Sequence, residues 1–206
     1  MVADREGVGR QGRVMRDLAA FRQEALRALS RAAARANAAS GPEEALWTIT
    51  RTLPDVLGDR EAHLEPGNLK QGEQQQFASG CFMVMPDRQT NILIAPVNFG
   101  PTQRHMRIAH DLGHPGHVIK TKQPMLLANT DEHKSFVKIL ETFRAGSPLF
   151  APIMWQGEAL GVLICAAQAR HTMGEADLEV HVAFSHLAAA QWIAHGGPEW
   201  LRTSFG

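Results

Sequence analysis

The sequence predicts an α+β fold, an antiparallel sheet flanked by helices on both faces, with a long N-terminal helix in front of it. Two pairs of short apolar runs, 81–85 with 91–97 and 147–155 with 158–168, are each separated by turn-forming residues and read as hairpins. The run 160–167 is apolar at nearly every position, as in a strand whose sheet is covered on both sides. Helical periodicity before the first hairpin and after the second supplies the cover.

With 206 residues, 44% of them hydrophobic and 20% charged, the chain has the material for one domain and an appendage, which excludes global disorder. Lys plus Arg and Asp plus Glu balance at 21 each, so no global field draws the protein to nucleic acid or to an anionic membrane. Cys81 and Cys165 are too few and too far apart for a disulfide framework and sit in apolar runs, which fits a reducing compartment. Charges stand where a signal peptide needs its apolar segment, and no uncharged stretch has the length of a membrane span. The expectation is a cytoplasmic protein.

Taken in order, the first dozen residues carry three glycines among charges and are expected to fray. From 13 to 37 there is no Gly or Pro, and Val14, Leu18, Phe21, Ala25, Ala28 and Ala32 line one face of a helix. Leu26 and Leu29 widen that face, so the helix packs either on a partner chain or on its own domain alone. Ser40-Gly41-Pro42-Glu43-Glu44, with Ser40 or Gly41 as the cap, opens a second helix, which is expected to break near Pro54 and end at Gly58. Residues 59–76 are polar and aperiodic and read as a mobile connector.

Between the hairpins the sequence predicts a short helix opened by Gly113-His114-Pro115-Gly116, a strand over 124–128 and another helix over 131–143. Thr172 to Glu175 has a capping-box pattern, and Leu178, Val182, Ser185 or His186, Ala189 and Ile193 form the stripe of a closing helix. The domain division is therefore a tail and helical extension over 1–40, a ligand-binding domain over 41–197 and a C-terminal tail over 198–206.

This order of elements over 46–194 resembles the GAF domain, a sensor fold related to PAS domains. The likeness is carried by Gly113-His114-Pro115-Gly116-His117-Val118 and the following 123–129, by the serine and proline of 145–153, by Gly157 and Gly161-Val162-Leu163 in the second hairpin, and by Asp177 at the last helix. The resemblance implies a small-molecule pocket under the middle segment and dimerisation through the outer helices. It names no ligand. The Asn-Lys-Phe-Asp-Glu signature of cyclic-nucleotide-binding relatives is absent, and bilin-binding relatives carry their cysteine in the middle segment, where this chain has none.

Four histidines, His105, His110, His114 and His117, fall within thirteen residues, more than a random scatter of ten over the chain would place there. Imidazole ligates metals or switches protonation near neutral pH. Two helix starts, at 113–116 and at 129–132, offer free N–H groups to an anion, and in a GAF-like pocket both would face one cavity. The candidate ligand-binding residues are accordingly His110, His114, Gly116, His117, Asn129, Thr130, Asp131, Arg144 and Ser147. No catalytic residue or metal set is assigned, and the cofactor is left open.

The favoured reading is a sensor that binds a small metabolite or anion and signals through a protein partner or homodimer contacts. The alternatives are a thiol-dependent redox enzyme like free methionine-R-sulfoxide reductase, a metal- or haem-binding sensor, and a structural dimerisation module.

Overall fold

The computed structural model describes residues 16–206. The expected fraying of the first dozen residues and the Val14 position of the first helix lie outside them. The elements run α1 (Leu18–Asn37), α2 (Pro42–Val56), β1 (Phe77–Val84), β2 (Thr90–Val97), β3 (Arg107–Ala109), α3 (Gly113–Thr121), β4 (Met125–Leu126), β5 (Ser147–Trp155), β6 (Glu158–Ala167), α4 (Glu175–Ala194) and α5 (Gly197–Phe205). The strands form one antiparallel sheet in the order β3-β2-β1-β6-β5-β4.

Both hairpins form where the sequence places them. The tip of the second is Gln156-Gly157, whose positive φ values of 49° and 81° match the right-handed twist of the flanking strands. Strand alternation divides the core in two. Cys81, Met83, Leu163 and Cys165 point to one face, under α1, α2, α4 and α5. Phe82, Val162 and Ile164 point to the other, under α3.

Asp17 caps α1 by accepting from the N–H groups of Ala19 at 2.9 Å and Ala20 at 3.1 Å. Phe21, Ala25, Ala28 and Ala32 are buried as expected, against α2 and α4 of the same chain, whereas Leu26 stays exposed. Pro54 does not break α2. Lacking an N–H, it leaves the Thr50 carbonyl without a helical donor, and Ser79 Oγ on β1 donates to that carbonyl at 2.6 Å.

Connector 59–76 is tied down rather than loose. Arg170, almost fully buried, pairs with Glu73 and Asp131 and donates to the Asn68 carbonyl. The cap of α4 also differs from the expectation. Gly174 takes the cap position, and the Asp177 carboxylate accepts from Gly174 N at 3.0 Å and Gly58 N at 2.8 Å. Its buried face takes in Ser185 and Ala189 of the expected stripe but is centred on Asp177, His181, Phe184, Ala188 and Trp192, because Asp177 and His181 are polar side chains that find partners inside, the backbone N–H groups of Gly174 and Gly58 and the Leu163 carbonyl. The stretch read as a C-terminal tail is helix α5, held by Trp200 edge-on to Trp192 at 5.9 Å.

The largest departure lies at 131–143, where the expected helix is absent. Only the turn Thr130–Glu132 is helical, and the chain then runs irregularly to β5. Phe136, Ile139, Leu140 and Phe143 still pack on the core. Their backbone is satisfied from outside: Gln103 donates to the Ile139 carbonyl at 2.8 Å and accepts from Glu141 N at 3.0 Å. A helical spacing of apolar residues is here fulfilled by an irregular strap.

Candidate functional site

Pairing of β1 with β6 brings the tips of the two hairpins side by side, and α3 crosses the same face of the sheet. Between them opens a cleft of about 730 Å³. His110, His114, His117 and Lys120 line it from α3 and the turn before it, and Arg88 and Glu158 from the hairpin tips.

Each of these groups is placed by local structure. The backbone N–H of His110 donates to the Gln89 carbonyl at 2.9 Å, and its ring is gripped by the buried Asn91, 3.0 Å from Nδ1. The turn Asp111 to Gly113 then reverses the chain, with Gly113 in the left-handed region at φ 55°. Gly116 closes the first turn of α3 against that loop. A Cβ there would lie 2.4 Å from the Asp111 carbonyl carbon, so the glycine is required by backbone packing.

The cleft is cationic at its rim. Arg88 and Lys122 share one counter-ion, Glu158, at 3.6 and 3.8 Å. Lys120 has no ion-pair partner among the described residues. The first N–H groups of α3, at Gly113 and His114, precede its first intrahelical bond and add a partial positive charge. Asp111 is the second carboxylate of the lining. Burial, reinforced by His133 and His117, holds the His114 imidazole below its ordinary pKa, so it is neutral at pH 7.

The space between the sheet and the 108–144 stretch is thus divided. The outer part, under α3, is the open cleft. The inner part, beneath the 136–145 strap, is closed to about 40 Å³ by Phe82, Phe99, Phe136, Leu140 and Phe150. The His114 ring borders both, stacked on Phe150 at 5.9 Å and 5.6 Å from Phe136.

Of the nine expected ligand residues, His110, His114, Gly116 and His117 line the cleft. The other five are engaged elsewhere. Asn129 caps its short turn by accepting from Asp131 N at 3.1 Å, and Thr130, fully buried, donates to the Ala145 carbonyl at 2.6 Å. Asp131 pairs with Lys70 at 2.8 Å, Arg170 at 3.1 Å and Arg144 at 3.4 Å. Ser147 Oγ accepts from Met173 N at 3.0 Å. Since no helix follows Asp131, the expected second helix start facing the cavity does not form.

His105 of the histidine cluster also lies elsewhere, with Nε2 2.9 Å from Glu43 and its ring 4.8 Å from Phe205. Sequence reasoning missed Arg88, Asn91, Lys120 and Glu158. Their only signal is proximity to turns, and it becomes a site through a strand pairing between distant segments.

Among the described residues no group of three His, Cys, Asp or Glu side chains is arranged to hold a metal ion. Both thiols are fully buried on the opposite, helix-covered face, where burial pushes them far above the ordinary thiol range. No helix among the described residues is long and apolar enough to cross a membrane.

The GAF domain family model matches residues 41–192. Among solved structures, the GAF domain of a phosphoenolpyruvate-protein phosphotransferase from Coxiella burnetii is similar, with 23% identity and a TM-score of 0.69, over 86% of this chain and 96% of that one. Its counterpart from Acinetobacter has 17% identity and a TM-score of 0.67, over 84% and 93%. The free methionine-R-sulfoxide reductase from Neisseria meningitidis, solved in complex with its substrate, has 15% identity and a TM-score of 0.63, over 93% and 96%. None of the curated proteins matches the sequence.

Proposed function

The chain belongs to the GAF domain family, and we propose that it is a receptor for a small anionic metabolite, held in the cleft beside α3 and reported to a second protein chain. The observation that carries this reading is the cleft itself. It offers about 730 Å³, the size of a small-molecule site, with Arg88, Lys120 and Lys122 at its rim and the start of α3 among its walls. Glu158 lies within ion-pair distance of Arg88 and Lys122 and offsets part of their charge, and Lys122 Nζ also donates to the Gly157 carbonyl at 2.7 Å.

Occupancy is transmitted if the ligand prefers one position of α3 over another. Helix α3 packs on β5 and β6, and α4 packs on the other side of the same strands. The outermost helix, α1, leaves Leu18 and Leu26 exposed at 47% and 67%, a surface suited to a second copy or a signalling partner.

The thiol-enzyme alternative needs an accessible thiolate, which neither cysteine supplies. A thermal-shift series with phosphate, sulfate and mono- and dicarboxylates tests the receptor reading. At least one anion is expected to raise the melting temperature, and the double variant Arg88→Glu, Lys120→Glu is expected to abolish that rise. A series in which no anion acts, or in which the variant responds like the wild type, overturns it.

A further inference from the structure

Asn91 is fully buried on β2, an unusual place for an amide, and both of its polar ends are spent on one residue. Its Nδ2 donates to the His110 carbonyl at 3.1 Å, and its Oδ1 lies 3.0 Å from His110 Nδ1. A carbonyl oxygen only accepts, so the amide end facing it is the nitrogen. The end facing the ring is then the oxygen, and His110 Nδ1 must carry the proton. In a neutral imidazole the other nitrogen, Nε2, is left as a bare acceptor. Nε2 lies on the ring edge away from the buried amide and has no partner among the described residues, while His110 lines the cleft.

We propose that the Asn91–His110 pair makes the cleft selective for an anion that carries its own hydroxyl or amine donor. The cations at the rim take the negative group, and Nε2 takes the donor. An anion without a donor leaves Nε2 desolvated and unpaired, and that penalty is the basis of the discrimination. The inference rests on reading the cleft as an anion site and narrows it to hydroxy- and aminocarboxylates. The positioning residue is Asn91, which acts only through His110.

Two measurements test it separately. A long-range proton–nitrogen correlation spectrum of histidine-labelled protein at pH 8 is expected to show His110 as the Nδ1–H tautomer, and the Asn91→Leu variant is expected to lose that preference. Calorimetric titration with malate and succinate, which differ by one hydroxyl, is expected to give about tenfold tighter binding of malate, the scale of one hydrogen bond in a partly desolvated cleft. In His110→Phe the two acids are expected to bind equally, so the comparison stands even if Asn91→Leu does not fold.

An Nε2–H tautomer in the wild type overturns the proposal, and so does equal binding of malate and succinate. If neither acid binds the wild type while phosphate or sulfate does, the narrowing to hydroxy- and aminocarboxylates falls and the anion site stands; if none of these anions binds, the anion-receptor reading itself falls.

Discussion

His181 shows how one buried residue ties stability to pH. It lies under the sheet with Nε2 donating to the Leu163 carbonyl at 3.0 Å and Nδ1 unpartnered, and burial pulls its pKa down to about 4. The folded state therefore resists protonation while the unfolded chain accepts it near pH 6.5, so stability is full above that pH and drains away as pH falls toward 4. Between pH 7 and pH 5 the expected loss is about 2 kcal/mol, and His181→Gln should remove most of it, as read by urea unfolding at the two pH values. The carboxylates Glu73 and Asp131, held low by Arg170 and Lys70 against the effect of burial, lose their contribution only at more acid pH.

At the same scale, Gly116→Ala drives a Cβ into the Asp111 backbone. It should cost about 1–3 kcal/mol in chemical denaturation. The glycine was legible as important from its motif, but its role was not, because the atom that forbids a side chain belongs to a turn whose path the sequence does not state. The same holds for Thr130 and Ser147. Both look like pocket hydroxyls in a linear reading, yet both are used up by backbone groups of segments brought close only by the sheet.

At the scale of elements, local signals located the hairpins, α2, α3 and α4, since turn residues, glycine and period act within a few residues of one another. They failed at 131–143, where the apolar spacing is helical but the partners are not. Gln103, almost fully buried, accepts from Gly100 N and Glu141 N and donates to the Ile139 carbonyl, and so substitutes for intrahelical bonds. Gln103→Ala should therefore cost about 1–3 kcal/mol and open the strap before the rest of the fold. Hydrogen exchange reads this as faster exchange at Glu141, whose N–H loses its acceptor, with β1 and β6 unchanged.

For the whole molecule, the sheet separates two jobs. One face, under four helices, contains the larger core, both thiols and the outward-facing α1. The other carries α3, the strap and the cleft. Leu26→Glu, on the exposed side of α1, should weaken any self-association seen by sedimentation while leaving an anion-induced rise in melting temperature intact. A sequence reading reached this division through the family resemblance and the doubly buried β6. It did not reach the cleft charges, because Arg88 and Glu158 meet only when β1 and β6 pair.

The central claim is that an anion sits beside α3. Amide spectra of nitrogen-15-labelled protein, recorded alone and with malate, succinate, phosphate or sulfate, test it most directly. The account predicts shifts concentrated at residues 110–122 and at the hairpin tips near Arg88 and Glu158. Shifts confined to the helix-covered face, or a spectrum that none of these anions changes, would contradict it.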